Sequence, residues 1–344
     1  MASSAMRSFR TNLDFLKGKS ILVTGGTGSF GKSFARTILD HSEIRRLAIF
    51  SRDELKQYEM DKEFSSHPHY KKLRFFIGDV RDPKRMNLAF RGIDYVIHAA
   101  ALKHVPIAEY NPFECIKTNI MGAQNVAEAA LSAGVTKIVA LSTDKAASPI
   151  NLYGASKLAS DKIFVAANAL GGEQEFSCSV VRYGNVMGSR GSVIPFFRNL
   201  LENGAEELPI TDKRMTRFWI TLPQGVDFVL SCLEMMQGGE IYVPKLPSMK
   251  VTDMARCMAP DLPHREIGIR PGEKLHEQMI TKDDGRETIE LDDRYIITPQ
   301  FTFWDQNYYS KQGAKPVSEG FHYSSDNNSE WMDDRTFKDL LGKL

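Results

Sequence analysis

Short apolar runs alternate with amphipathic segments through the first half of the chain. A run such as "SILVT" (20–24) has the length and composition of a buried strand, and the segment after it places Phe30 and Phe34 at helical spacing. The segment from Pro112 predicts a long helix, with Gly134 just past its end. This alternation predicts an α/β fold, namely a Rossmann-type doubly wound parallel sheet with helices on both faces.

The pattern becomes irregular after about Val186, where proline and charged residues are more frequent. Such a region is typical of a smaller, substrate-binding C-terminal lobe. Residues 223–244 again have the pattern of a helix and a strand, and we expect them to return to the main sheet. The predicted division is a Rossmann domain at 17–185 joined by 223–244, a substrate-binding lobe at 186–222 and 245–344, and an N-terminal tail at 1–16.

Composition and charge are ordinary for a globular protein and argue against several classes of partner. Of the 344 residues, 42% are hydrophobic and 25% are charged, and the formal net charge is +1. This balance gives no reason to expect nucleic acid or a membrane surface as partner, and no apolar run approaches the roughly 20 residues of a membrane span. Because no CxxC pair is present, we expect no metal or redox site and a reducing, cytoplasmic location for the cysteines, which are Cys115, Cys178, Cys232 and Cys257.

A glycine-rich turn follows the first predicted strand and opens the next helix. The stretch "VTGGTGSFGK" contains Gly25-x-x-Gly28-x-x-Gly31. Small residues let the backbone approach a pyrophosphate, and the helix N-terminus supplies N–H groups and a positive dipole end. Because the turn lies inside a strand–helix–strand pattern, it predicts a dinucleotide site at Thr24, Gly25, Gly28, Ser29, Phe30 and Gly31.

The end of the second strand, "IFSRDELK", bears on the choice between NAD and NADP. An NAD site usually has an acidic residue here for the ribose 2′-hydroxyl, whereas Arg52, with Lys56, suits a 2′-phosphate. We therefore expect NADP; the alternative is that Arg52 is a solvated charge and Asp53 reaches the ribose. Other cofactor contacts are expected at neighbouring strand ends, from Ser51, Asp79 (to the adenine amine), Val80, Ala99, Ala100, Ala101, Lys103 and Ser142.

A second motif, "YGASK", places Tyr153 and Lys157 on one face of a predicted helix. A phenol has a pKa near ~10 and needs a nearby cation to act as a base at neutral pH. Together with the glycine turn, Asp79 and the preceding Thr143, this pair resembles the short-chain dehydrogenase/reductase superfamily. The resemblance implies that Tyr153 is the base, that Thr143 orients the substrate hydroxyl and that Lys157 also holds the nicotinamide ribose.

The stretch "LSTDK" adds an acid and an amine, Asp144 and Lys145, directly after Thr143. In the resembling nucleotide-sugar 4,6-dehydratases this place reads Thr-Asp-Glu, where the Asp protonates the leaving C6 hydroxyl and the Glu removes the C5 proton. This chain keeps the acid and has a lysine in place of the glutamate. We expect Lys145 to be the C5 base if a desolvated site and a neighbouring cation lower its pKa. The alternative is an exposed ion pair without a catalytic role.

Several stretches together carry a more specific resemblance. "TGGTGSFGK", "SRDELKQ", "AALKHVP", "STDKA", "YGASK", "RYGNVMGSRGSVIPFF" and "RPGEKLHE" resemble the inverting UDP-N-acetylglucosamine 4,6-dehydratases over about residues 17–299. The resemblance implies NADP that stays bound and is regenerated in each turnover, and inversion at C5 of the sugar. It also implies a role in the first step toward pseudaminic acid, for flagellin or surface glycans, and a homo-oligomer, specifically a hexamer.

The same resemblance implies which residues contact the substrate, UDP-N-acetylglucosamine. Arg270 is expected at a phosphate oxygen, which suits its planar guanidinium, and Glu273 at the uridine ribose. His104 has the alternative of being a core histidine. The full set of expected substrate contacts is Lys103, His104, Tyr153, Asn185, Arg190, Ser192, Val193, Arg217, Arg270 and Glu273.

Other activities stay open at the level of the sequence. A retaining dehydratase or a capsule-type 4,6-dehydratase/5-epimerase shares most of the pattern. A nucleotide-sugar 4-epimerase needs Tyr153 and Lys157 but no acid–base pair for C6, so Asp144 and Lys145 argue against it. A non-enzymatic redox sensor that binds NADP usually lacks the Tyr–Lys pair, which is intact in this chain.

Overall fold

The computed structural model describes residues 6–172, 174–189, 191–301, 304–305 and 307–344. The strands within these residues are β1 (Ser20–Thr24), β2 (Arg46–Ser51), β3 (Leu73–Ile77), β4 (Tyr95–His98), β5 (Lys137–Thr143), β6 (Ser177–Tyr183), β7 (Asn185–Val186), β8 (Leu208–Ile210), β9 (Thr216–Ile220), β10 (Ile241–Pro244), β11 (Ser248–Lys250), β12 (His264–Glu266), β13 (Gln278–Ile280), β14 (Thr288–Glu290), β15 (Arg294–Ile297), β16 (Lys315–Pro316) and β17 (Tyr323–Ser324).

The helices alternate with the strands through the first half of the chain and become shorter after it. They are α1 (Ser29–His41), α2 (Glu54–Phe64), α3 (Pro83–Ala89), α4 (Val105–Tyr110), α5 (Pro112–Ile116), α6 (Gly122–Ala133), α7 (Leu152–Ala167), α8 (Val193–Glu202), α9 (Leu222–Met235), α10 (Val251–Met258) and α11 (Asp334–Leu341).

Among the described residues, ten strands form one central sheet in the order β16-β14-β15-β10-β6-β5-β4-β1-β2-β3. Neighbouring strands from β3 through β10 are parallel, and β15, β14 and β16 add an antiparallel edge. The order β3-β2-β1-β4-β5-β6 is that of a doubly wound dinucleotide-binding sheet. The predicted Rossmann-type fold class is therefore confirmed.

The sheet takes strands from both sides of residue 245. Strand β10, which lies within residues 223–244, pairs in parallel with β6, so this segment returns to the main sheet. Strands β14, β15 and β16 come from the region expected to form the C-terminal lobe, yet they extend the sheet beyond β10. These strands have at most four residues each, and such short edge strands leave little periodicity in the sequence.

The long helix predicted from Pro112 is present but interrupted. Helices α5 and α6 are joined by a π-helical turn, Lys117–Met121, and α6 ends at Gly134, whose φ of 73° is the left-handed conformation that glycine favours at this position. A π turn makes a helix bulge, and such bulges are frequent at functional sites. Here the turn directs Asn119 into the protein, where its amide contacts the backbone of Leu102.

A second apolar cluster lies apart from the core of the main sheet. It is built around Trp219, with Phe337 packed edge-on against its ring at a centroid distance of 6.4 Å. The other buried members come from α8, α10, the short strands β8 and β11 and the segments between elements, and they include Met187, Ile194, Phe197, Leu208, Ile210, Met249 and Met254. Residues after Val186 thus have an apolar core of their own.

The described part of the predicted tail is attached to this fold. The ring of Phe9 is 2% exposed and packs edge-on against Phe228 at a centroid distance of 4.9 Å. Arg7 forms an ion pair with Glu330 at 2.5 Å, and its carbonyl accepts a hydrogen bond from the Gln224 amide. None of the helices in the described ranges is long and apolar enough to cross a membrane.

We predict that Phe9→Ala lowers the free energy of unfolding by about 3–5 kcal/mol, because it removes a buried ring and leaves a cavity. The measurement is urea unfolding followed by fluorescence. Arg10→Ala is the matched control: its side chain is mostly exposed, so its loss changes stability by about 1 kcal/mol or less. Equal effects of the two substitutions would contradict the account.

Candidate active site

A cavity of about 750 Å³ opens at the carboxyl ends of the parallel strands β1, β2, β4, β5 and β6. This is where ligands bind in open α/β sheets. Most residues expected at the cofactor, the substrate and the catalytic step line it together: Gly25, Gly28, Ser29, Phe30, Ser51, Arg52, Lys56, Asp79, Val80, Ala99, Ala100, Ala101, Lys103, His104, Ser142, Thr143, Asp144, Lys145, Tyr153, Lys157, Asn185 and Ser192.

Other expected contacts lie away from the cavity surface. The hydroxyl of Thr24 is buried and hydrogen-bonded to His98 Nδ1 at 2.8 Å. Arg270 is exposed and 3.5 Å from Glu273, in an ion pair on the segment before β13. Gly31, Val193 and Arg217 are likewise absent from the lining among the described residues. Arg190 lies outside the described residues.

The glycine turn brings its backbone against the end of β4. Gly25 has φ 66°, and a Cβ built on it would lie 2.8 Å from Ala100 Cα. A Cβ on Gly31 would lie 2.1 Å from the carbonyl oxygen of Gly26, so only glycine lets α1 start this close to the turn. Gly28 is the N-cap of α1 and has no side chain over the first turn. The turn therefore forms a cradle that fits a pyrophosphate.

At the end of β2, the acidic residue is already engaged. Asp53 caps α2 by accepting the Lys56 N–H at 3.0 Å, and it pairs with Lys56 Nζ at 2.5 Å. These two hydrogen bonds lower the pKa of Asp53. Arg52 is half-exposed beside the cavity, 3.6 Å from Asp79 Oδ2. Asp79 also pairs with Arg81 at 2.7 Å, so its expected bond to adenine would compete with two guanidinium groups.

Tyr153 and Lys157 project from the first turns of α7, which begins after its N-cap Asn151. The start of this helix is held by a relay in which Ser156 Oγ donates to the Tyr153 carbonyl at 2.8 Å and Asn119 Nδ2 donates to Ser156 Oγ at 2.9 Å. Burial raises the pKa of Tyr153 to about 12, against the charge of Lys145, which lowers it. The phenol is thus protonated at neutral pH and depends on nearby cations to ionise.

Asp144 is 1% exposed and follows β5 directly. Its Oδ1 accepts a hydrogen bond from the Thr143 hydroxyl at 2.8 Å, while its buried Oδ2 has no partner among the described residues. Burial, and then the negative charge of Glu277, raises the pKa of Asp144. The side chain therefore holds a proton more readily than an ordinary aspartate, and its Oδ2 has no hydrogen-bond partner among the described residues.

Lys145 differs from the expectation for a base with a lowered pKa. Its Nζ lies 3.1 Å from Asp144 Oδ1 and 3.1 Å from Glu277 Oε1. Burial alone would lower the pKa of Lys145, but these two carboxyl groups outweigh it and the pKa is raised. The lowered pKa that was the condition for Lys145 as the base is therefore not found, because the groups that face the amine are mainly acidic. The alternative of an exposed surface pair is also wrong, since both carboxyl groups are buried.

Glu277 is the main residue that the sequence interpretation missed. It lies just before β13, is 2% exposed, and has Arg217 Nε 3.6 Å from its Oε1. The remaining N–H groups of Arg217 donate to the carbonyls of Thr216, Leu275 and Lys274. These bonds hold the guanidinium in place beside the carboxyl group of Glu277. The available signal was the last residue of "RPGEKLHE", a motif that had been noted for its arginine and its first glutamate.

Three further polar groups line the cavity near the expected sugar position. His104 is exposed rather than a core residue, and a Cβ on Gly191 would lie 2.7 Å from its ring. The hydroxyls of Thr118, in the π turn, and of Ser192 are buried without a partner among the described residues. Buried hydroxyls without partners cost stability, so they are available to a bound ligand.

Comparison with known proteins places these features in a family. The family model described as polysaccharide biosynthesis protein matches residues 21–299. A curated relative from Campylobacter jejuni, "UDP-N-acetylglucosamine 4,6-dehydratase (inverting)", is 56% identical over 94% of this chain and 97% of its own length. A relative from Rickettsia canadensis, "UDP-glucose 4-epimerase", is 41% identical over 94% of this chain and 95% of its own length.

Solved structures share the fold. Pen from Bacillus thuringiensis superposes with a TM-score of 0.86 at 36% identity, over 96% of this chain and 98% of that one. The dTDP-glucose 4,6-dehydratase DesIV from Streptomyces venezuelae, solved with NAD and TYD bound, gives a TM-score of 0.67 at 24% identity, over 85% of this chain and 97% of that one. The second likeness concerns the fold alone.

We predict that Gly25→Ala weakens binding of a nicotinamide dinucleotide at least roughly tenfold, because the added Cβ closes the approach to Ala100 and strains a positive φ by about 1–3 kcal/mol. The measurement is isothermal titration with NADP. Gly134→Ala is the matched control: it has a φ of 73° and nothing within 4 Å of an added Cβ. Equal affinities of the two variants would contradict a binding role for the turn.

Proposed function

The chain belongs to the polysaccharide biosynthesis protein family, and we propose that it is an NADP-dependent UDP-N-acetylglucosamine 4,6-dehydratase that inverts C5. The observation that carries the proposal is that Asp144 and Lys145 line the same cavity as Tyr153 and Lys157. A 4-epimerase uses only the second pair. Removal of water from C5 and C6 needs an additional acid and base, and the relatives named as inverting dehydratases support this assignment.

The residues present fit a nicotinamide dinucleotide. The turn at Gly25 and the first turn of α1 would hold the pyrophosphate, and Lys157 would hold the nicotinamide ribose. When bound, the nicotinamide supplies the redox chemistry that oxidises C4 of the sugar and later reduces C6. Because both changes occur within one turnover, the cofactor ends in the form in which it began.

The end of β2 supports NADP over NAD. The carboxylate of Asp53 is occupied by the N-terminus of α2 and by Lys56, which leaves it poorly placed to hold ribose hydroxyls. Arg52 has its guanidinium half-exposed beside the cavity and would pair with a 2′-phosphate through charge-assisted hydrogen bonds.

Tyr153 would remove the proton of the C4 hydroxyl as C4 becomes a ketone. Its ionisation is favoured by the positive charge of Lys145, which lowers the pKa of the phenol. The ketone at C4 then makes the C5 proton more acidic, so that elimination across C5 and C6 becomes feasible.

Asp144 would donate its proton to the C6 oxygen, through the Oδ2 atom that has no partner in the described structure. Lys145 would take the C5 proton once it has itself lost one. Asp144 Oδ1, at 3.1 Å, is within reach to accept the proton of Lys145. Asp144 would accept this proton as it passes its own to the C6 oxygen, so the amine becomes neutral and can take the C5 proton while Asp144 ends as a carboxylic acid.

The finer expectations rest on the family resemblance. We infer that the product enters the route to pseudaminic acid. We also infer that the proton leaves C5 from one face and returns to the opposite face, which inverts C5. The homo-oligomer, its hexameric state and the cytoplasmic location stay predictions.

Incubation of the protein with UDP-N-acetylglucosamine in heavy water, without added cofactor, tests the function. We expect the sugar to lose one water, to carry deuterium at C5 and to have the L-arabino configuration. Mass spectrometry and proton NMR detect these changes. Tyr153→Phe should lower kcat by roughly 10²–10⁴-fold, as for loss of a general base, whereas the exposed Tyr110→Phe should retain turnover. Epimerisation at C4 without loss of water, or no reaction even with NADP, would contradict the proposal.

We predict that Arg52→Ala raises the Kd for NADP roughly 10–100-fold, the value of one charge-assisted contact of about 1.5–3 kcal/mol, and leaves the Kd for NAD nearly unchanged. Arg81→Ala is the matched control, because Arg81 pairs with the same carboxylate of Asp79 without being among the lining residues of the described cavity. Equal weakening of both cofactors by Arg52→Ala would show that the arginine does not recognise the 2′-phosphate.

A further inference from the structure

Glu277 touches the acid–base pair without reaching the cavity. Its Oε1 lies 3.1 Å from Lys145 Nζ, yet within the described ranges it is not among the residues that line the cavity. It therefore meets the pair from behind, on the side away from the sugar. A residue in this place can act on the reaction only through Lys145 and Asp144.

The carboxylate of Glu277 is held in place by strands of the C-terminal half. Its backbone N–H donates to Ser325 Oγ at 3.0 Å, and its carbonyl accepts the Ser325 N–H at 2.8 Å. Ser325 Oγ is in turn 2.6 Å from the hydroxyl of Thr216. Arg217, next to Thr216, is fixed by backbone carbonyls and aims its Nε at Glu277. The position of the charge is thus set before any substrate binds.

The two carboxyl groups around Lys145 are not equivalent. Burial opposes ionisation of both, but Lys145 and Arg217 both face Glu277 and lower its pKa, whereas the pKa of Asp144 is raised. Glu277 is therefore the more acidic of the two carboxyl groups, and Asp144 is the one that holds a proton more readily. A second negative charge beside Asp144 disfavours its ionisation, and the same charge stabilises the ammonium of Lys145.

We propose that Glu277 is the positioning residue of the acid–base pair: its carboxylate anchors the Lys145 ammonium beside Asp144, and its negative charge favours the protonated form of both groups. The role of Glu277 in dehydration rests on the proposed function, whereas its effect on the protonation of Lys145 and Asp144 does not. The residue that follows Asp144 in the sequence is a lysine and brings no carboxyl group to the site. The second carboxyl group near Asp144 is that of Glu277. The chain supplies that negative charge from a segment 132 residues away.

Other charged groups face the same space and enter the comparison. Glu277 is flanked by Lys274, whose Nζ donates to the Ala147 carbonyl at 2.5 Å, and the charge of Lys145 acts on Tyr153. The groups on the elements packed around Glu277 and Lys145 are Asp144, Tyr153, Asp161, Arg182, Arg217, Lys274, His276, Asp284 and Asp326. All of them are unchanged in the variants below.

The first test measures the basicity of Lys145 in the protein without substrate. Trace labelling with acetic anhydride across a pH series, read by peptide mass spectrometry, gives the fraction of neutral amine. In Glu277→Gln the Lys145 ammonium loses the negative charge of one of its two carboxyl partners, so we expect the pKa of Lys145 to fall by about 1–3 pH units. Labelling at pH 8 should then rise roughly tenfold or more, because one pKa unit is a tenfold change in the neutral fraction.

The second test measures the pH profile of dehydration. Removal of the Glu277 charge lowers the pKa of both Asp144 and Lys145, so both limbs of the kcat profile should move to lower pH by about 1–3 units. Glu277→Asp keeps the charge and should keep the limbs in place, with kcat reduced. Glu330→Gln is the matched control. Glu330, like Glu277, lies in the last third of the chain and pairs with an arginine, Arg7, so its loss should leave the profile unchanged.

Unchanged labelling of Lys145 in folded Glu277→Gln would overturn the inference, as would a uniform loss of kcat without a shift of the profile. If Glu277→Gln does not fold, the pH series on the wild type decides: a Lys145 pKa above the usual value of lysine supports the inference, and a pKa at or below that value overturns it. Failure of the proposed function would appear as absence of dehydration in the wild type, while the labelling result would still stand.

Discussion

The ammonium of Lys145 lies between two buried carboxyl groups that belong to opposite halves of the chain. Asp144 comes from the end of β5, and Glu277 from the segment before β13. A single buried charge costs several kcal/mol, so none of these groups would be stable in its place without the others. Their contact fixes the turn after β5 against the C-terminal region, and this turn lines the same cavity as Tyr153. Both the shape and the charge of the candidate site follow from this contact.

The parts of the site that could be predicted from the sequence are those encoded by local spacing. Gly25, Gly28 and Gly31 form the expected turn because strand, turn and helix are consecutive, and Tyr153 and Lys157 share a helix face because of their separation. The parallel sheet then brings separate strand ends to one edge, which is why so many expected residues line one cavity. The antiparallel strands β14, β15 and β16 were not expected, since segments this short carry too little periodicity.

What the sequence could not provide is the partner of each charge. Arg217 was expected at the substrate, but its N–H groups are taken by backbone carbonyls and by Glu277. The role of Lys145 as base depended on a lowered pKa, and the two carboxyl groups that raise its pKa are brought to it only by the fold. Electrostatic properties depend on distances between residues that are remote in sequence, and no motif reports those distances.

The fold alone does not select the reaction, since relatives named as dehydratases and as epimerases share it. The selection rests on where the sugar lies relative to Asp144 and Lys145. The most direct measurement is a crystal structure of the Tyr153→Phe variant with NADP and UDP-N-acetylglucosamine bound. The account predicts the C6 oxygen within hydrogen-bond distance of Asp144 Oδ2 and the C5 hydrogen directed at Lys145. A sugar bound with C4 at residue 153 but with C6 turned away from Asp144 would contradict it.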